Sequence, residues 1–152
     1  MTAIRSSAIL VATGATVALG TAYYFQYVLG YNPCALCLWQ RWAYYIGIPL
    51  ALFAAMSGRR EILLLVGVIF AANAVLGLYH AGIEWKLWEG PLSCSSGAAA
   101  PSSGNLIEDL QRTRIVPCNA APWRLAGLSF AGWNMAICAA LAATAFIGVR
   151  RR

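Results

Sequence analysis

The chain has 152 residues, 61% of them hydrophobic and 11% charged, with a mean hydropathy of +0.65. A soluble domain carries roughly 25% charged residues, so this composition cannot cover itself with a water-compatible surface and reads as a membrane protein. The net charge of +6 does not describe a nucleic-acid groove, because Arg5, Arg59, Arg60, Arg150, Arg151 and Arg152 lie in short segments beside apolar runs, the pattern that orients membrane helices.

One helical span needs about 20 apolar residues, and the chain offers four such runs. The first covers about 7–29, carries no charge and follows Arg5. Its apolar part is longer than a signal-peptide core and no A-x-A-like site follows it, so a retained helix is expected. Tyr23, Tyr24, Phe25, Tyr27 and Tyr31 crowd its far end, as aromatic rings with polar tips do at a lipid–water interface. The second span is predicted over about 38–57, opening on Trp39, Trp42, Tyr44 and Tyr45 and containing Pro49. A very short basic turn, Ser57-Gly58-Arg59-Arg60-Glu61, leads to the third, about 62–82, with Asn73 near its middle and His80 near its exit.

A polar segment, about 83–127, follows and holds four of the five acidic residues. Within it, 105–115 is predicted as a short amphipathic helix, and 123–130 as an interfacial stretch. The last span, about 128–149, stops at the arginine tail. Basic residues at helix ends put both termini and the 58–60 turn in the cytoplasm. The long loop and the segment before the second span then face outward together. The expected architecture is an all-α, single-domain, four-helix membrane bundle.

The chemistry lies in the cysteines. Cys34 and Cys37 form a Cys-x-x-Cys pair directly before the second span, with Asn32 as a candidate N-cap and Pro33 as a first helical residue. A helix N-terminus favours negative charge, and Arg41 stands one turn beyond Cys37. Both effects populate the thiolate, the species that attacks disulfides, so redox chemistry is expected. Cys94 and Cys118 bracket a Ser/Gly/Pro-rich part of the outer loop. Taken alone, that pair reads as a stabilising staple in an oxidising compartment. Cys138, inside the fourth run, reads as a small buried hydrophobe. A four-cysteine zinc site fits poorly, since the second pair is 24 positions apart. Haem attachment requires His where Leu38 stands. No metal is expected.

The motif Cys34-Ala35-Leu36-Cys37-Leu38-Trp39-Gln40-Arg41, the four spans and the second cysteine pair, with Trp123 five residues after Cys118, resemble the DsbB family of disulfide bond formation proteins over essentially the whole chain. The resemblance implies Cys34–Cys37 and Cys94–Cys118 disulfides in the resting state, with all four cysteines catalytic. It also implies a quinone, ubiquinone or menaquinone, at the outward end near Arg41 and His80. The implied partner is a DsbA-like thioredoxin-fold protein of the periplasm, and the implied location is the bacterial inner membrane. Gln40 departs from the acidic residue that family members often carry before the arginine. Two other readings fit parts of the pattern: a disulfide-stapled membrane scaffold that docks a partner, and a thiol enzyme similar to vitamin K epoxide reductases. The latter family places its Cys-x-x-Cys late in the chain, not at the second helix.

Overall fold

The computed structural model describes residues 2–91 and 117–151. Four long helices carry it: α1, Thr2–Tyr27; α2, Ala35–Ser57; α3, Arg60–Glu84; and α4, Phe130–Arg150. At 1.5 Å per residue, the 25 residues of α3 exceed the roughly 30 Å of a bilayer core. By length and composition α1, α3 and α4 are apolar enough to cross a membrane. Helix α2 falls short of that criterion because Gln40, Arg41 and four Trp or Tyr rings occupy its first half. It is nonetheless 23 residues long, with Pro49 accommodated inside.

Each helix packs on its two neighbours in a ring: α1 on α2, α2 on α3, α3 on α4 and α4 on α1, with little contact across the diagonal. The short connection between α2 and α3 forces them antiparallel. Gly58 caps α2 in the left-handed region (φ 66°) and returns its N–H to the Ala54 carbonyl, the usual glycine helix stop.

Small side chains line the seams. Ala8, Ala12, Ala15, Ala51, Ala54, Ala142 and Ala145 are buried around Leu63, Val66 and Phe70. Such residues let helices approach closely where lipid offers no hydrophobic drive for association. At Gly77 a Cβ would sit 3.0 Å from the backbone nitrogen of Met135, so α3 and α4 nearly touch there. Large apolar side chains point outward instead, among them Leu10, Val17, Val68 and Val75.

The stretch before α4 takes a regular form of its own. It forms a two-stranded antiparallel hairpin, β1 (Arg124–Leu125) and β2 (Leu128–Ser129). Ala126 and Gly127 turn it with φ values of 51° and 82°, the positive pair that a tight hairpin turn requires. Ser129 then caps α4 by accepting the Gly132 N–H at 3.2 Å. The Trp133 indole donates to the Leu125 carbonyl at 3.1 Å, which ties the hairpin to α4. Phe25, Trp123 and Phe130 cluster beside it with centroids 4.9 to 5.2 Å apart, Trp123 stacked on Phe130 and Phe25 edge-on to Phe130. The expected 105–115 helix lies outside the described residues.

Candidate functional site

The site forms where the C-terminal ends of α1 and α3 meet the N-terminal ends of α2 and α4. Its first residue corrects the expected helix start. Cys34, not Asn32, is the N-cap of α2, with extended backbone, and its sulfur accepts the Cys37 N–H at 3.3 Å. The helix therefore opens on a sulfur that already receives a backbone donor. Cys34 and Cys37 stand here as free thiols with sulfurs 3.0 Å apart, the reduced form of the pair for which a disulfide was expected.

Charge in this pair collects on Cys34. The two sulfurs share a hydrogen bond at 3.0 Å, and His80 stands with Nε2 3.6 Å from the Cys34 sulfur. The Cys37 hydrogen bond above all, with the His80 hydrogen bond behind it, outweighs burial and lowers the Cys34 thiol to about 4. Arg41 was expected to stabilise the thiolate from one turn above Cys37. It lines the same cavity as both cysteines, but its guanidinium donates to Gln26 of α1 at 2.6 Å and lies 5.0 Å from the Tyr23 ring centroid.

His80 is buried rather than interfacial. A chain of side chains from α2 and α4 holds it. The Tyr44 hydroxyl donates to Asn134 Oδ1 at 2.6 Å, and Asn134 Nδ2 donates to Gln40 Oε1 at 2.7 Å. That leaves Gln40 Nε2 facing His80 Nδ1 at 3.0 Å. An amide nitrogen only donates, so Nδ1 accepts, and the ring proton sits on Nε2 facing Cys34. Glu84, one turn on, places Oε1 3.8 Å from His80 Nε2.

Asn73 bridges α3 to α4 by donating to the Cys138 sulfur at 3.2 Å. Cys138 also meets the Tyr44 hydroxyl at 3.2 Å, so it ends a polar chain instead of packing only as a hydrophobe. The available signal for Gln26, Gln40 and Asn134 was an uncharged polar residue inside an apolar run, which in a bundle faces inward.

Cys118 is buried, packs with Cys34 in one small cluster that Leu36 and Cys37 flank, and is disulfide-bonded. Cys94, its expected partner, lies outside the described residues. Cys34, Cys37, Arg41, His80 and Glu84 all open on a cavity of about 710 Å³, whose walls include Val17, Phe25, Tyr31, Trp123 and Phe130.

The family model "Disulfide bond formation protein DsbB" matches residues 4–148. The chain belongs to the DsbB family. A disulfide bond formation protein B of Pseudoalteromonas translucida is 32% identical over 140 residues, 87% of this chain and 81% of that protein. The disulfide bond formation protein B 1 of Pseudomonas entomophila is 32% identical over 127 residues, 77% of this chain and 73% of that protein. An uncharacterized Rickettsia prowazekii protein, RP370, is 26% identical over 125 residues, 78% of this chain and 72% of that one. No solved structure matches the chain. DsbB membership supports a role in disulfide bond formation and implies thiol oxidoreductase chemistry. Together with the three apolar helices it supports a membrane protein.

Proposed function

We propose that this chain is a protein-disulfide oxidase of the bacterial inner membrane. It reoxidises a DsbA-like periplasmic protein and passes the electrons to a membrane quinone. The observation that carries the reading is the packing of Cys118 against Cys34, beside a large cavity that the Cys-x-x-Cys pair and Arg41 share. In the resting chain Cys34–Cys37 and Cys94–Cys118 are disulfides. The partner's thiolate attacks Cys94, forms a mixed disulfide and releases the Cys118 thiolate. The partner's second thiol then resolves the mixed disulfide and leaves Cys94 as a thiol. Cys118 attacks Cys34 and Cys37 leaves as thiolate near the helix terminus, which favours negative charge. Attack of Cys94 on Cys118 restores the loop disulfide and returns the electron pair to Cys34 and Cys37.

The cavity suits a quinone: apolar and aromatic walls for a ring and tail, with Arg41 and His80 as polar groups at the dithiol end. A bound quinone takes up two electrons and two protons and leaves as quinol. Arg41 would face its developing oxygen charge, and His80 would hold a proton on Nε2 beside Cys34. The net reaction is partner dithiol plus quinone to partner disulfide plus quinol. The outward-facing orientation of the cysteines and the cytoplasmic termini belong to the same proposal.

Purified protein in detergent, given a reduced DsbA-like partner and a quinone, should form quinol. Cys37→Ser should abolish this, Cys138→Ala should retain it, and Arg41→Ala should raise the apparent quinone KM. Absence of quinol with both ubiquinone and menaquinone would sink the reading.

A further inference from the structure

Cys34 Sγ, Cys37 Sγ and His80 Nε2 lie within 4.8 Å of one another. The measured pairs are 3.0 Å between the sulfurs, 3.6 Å from Cys34 Sγ to His80 Nε2 and 3.8 Å from His80 Nε2 to Glu84 Oε1. A tetrahedral zinc ion, with bonds of about 2.0 to 2.3 Å, holds its ligand atoms about 3.3 to 3.8 Å apart. The Cys34–His80 and His80–Glu84 separations already fall in that range, while the two sulfurs stand closer and must part as an ion enters. Glu84 supplies an independent sign of a missing partner. Its side chain is 4% exposed, and its Oε2 has no hydrogen-bond partner among the described residues. A buried carboxylate oxygen left without a donor is costly, and this one lines the same cavity as the two thiols and the imidazole.

We propose that the reduced dithiol, with His80 and Glu84, is a binding site for a soft divalent cation of the zinc class. Two thiolates, one imidazole and one carboxylate form a closed ligand set of the kind that zinc prefers. Binding moves no electrons: the ion displaces the proton that remains on the dithiol and forms two metal–sulfur bonds. The support behind His80 can adapt. With the ion on Nε2 the ring proton moves to Nδ1. The Gln40 amide then turns over to accept it, Asn134 turns with it, and the Tyr44 hydroxyl donates to Cys138 instead, so every group in the chain keeps a partner. This is the hydrogen-bonded backing that metal-bound histidines require. A Cys34–Cys37 disulfide offers no thiolate, so only the reduced state binds. The cation therefore draws the dithiol–disulfide equilibrium toward dithiol. The site stands on ligand geometry and holds whether or not the chain reduces quinones.

The test is a cadmium titration of the full chain in detergent. Cys94→Ser and Cys118→Ser are included so that the Cys-x-x-Cys pair is the only dithiol. The reduced protein should develop the ultraviolet cadmium–thiolate charge-transfer band to one equivalent. Zinc should abolish the band by competition, and the oxidised protein should not show it. Cys37→Ser should lose the band, and His80→Gln and Glu84→Gln should each weaken affinity about tenfold or more, with helical circular dichroism checked for every variant. Failure of the reduced protein to develop the band would overturn the proposal. So would unchanged affinity in either His80→Gln or Glu84→Gln, or equal binding by the oxidised form.

Discussion

Cys34 shows how much one position at a helix start can decide. As N-cap it replaces the side-chain oxygen usually found there with a sulfur, and it collects the Cys37 N–H, the Cys37 thiol and His80. An ordinary thiol titrates near 8.5, while this one is lowered to about 4. The thiolate is the form present above the lowered value and lost below it. The alkylation rate of Cys34 in the reduced chain, followed by mass spectrometry, should therefore be level through neutral pH and fall as pH drops through about 4. Because His80 is one of the groups that lower the value, His80→Gln should move that fall to higher pH. A rate that climbs through pH 8 to 9 in the unaltered reduced chain, as an ordinary thiol's does, would refute the assignment.

Between elements, contact is set by what the helices leave out. Helices α3 and α4 approach closely because Gly77 has no side chain, and the atoms a Cβ would meet belong to the Met135 backbone and cannot swing away. Gly77→Ala should destabilise the bundle by about 1–3 kcal/mol, read as a lower midpoint of thermal unfolding in detergent. Gly20, whose added Cβ would meet nothing within 4 Å, is the control: Gly20→Ala should leave that midpoint nearly unchanged. Four long helices were legible in the sequence because four apolar runs are broken by the Gly30–Cys37 segment, one arginine turn and one polar segment. The hairpin at 124–129 was not. Four residues in two strands carry no periodicity to read, and the positive φ of Ala126 has no signature in an alanine.

For the molecule as a whole, exposure is inverted relative to a soluble bundle. Alanines line the helix seams while Val75 is 67% exposed, as expected where lipid is the solvent and packing drives helix association. Val75→Arg would place a charge on that outer face near the middle of α3. It should cost roughly 2.5–3.5 kcal/mol of membrane insertion, measured as a fall in the inserted fraction in a translocon assay. An inserted fraction equal to that of the unaltered chain would show that this face does not meet lipid. The polar groups run the opposite way: Gln40, Arg41, Asn73, His80 and Glu84 are buried inside the bundle, and most of them gather at the end that holds the thiols.

The sequence by itself determined the membrane class, the helix count and the Cys-x-x-Cys at the head of the second helix, because hydropathy, charged turns and short spacing are local quantities. It also singled out Cys118, Arg41 and His80 as residues worth placing. Only the tertiary structure decided which groups touch. His80 reaches Cys34 across 46 positions, Asn134 reaches Gln40 across 94, and Arg41 turns to Gln26 rather than to the thiols. Helix packing alone creates such pairs, since it brings four separately encoded faces to one end of the bundle. The same packing made Cys34 the charged sulfur of the reduced pair and set a carboxylate and an imidazole beside it.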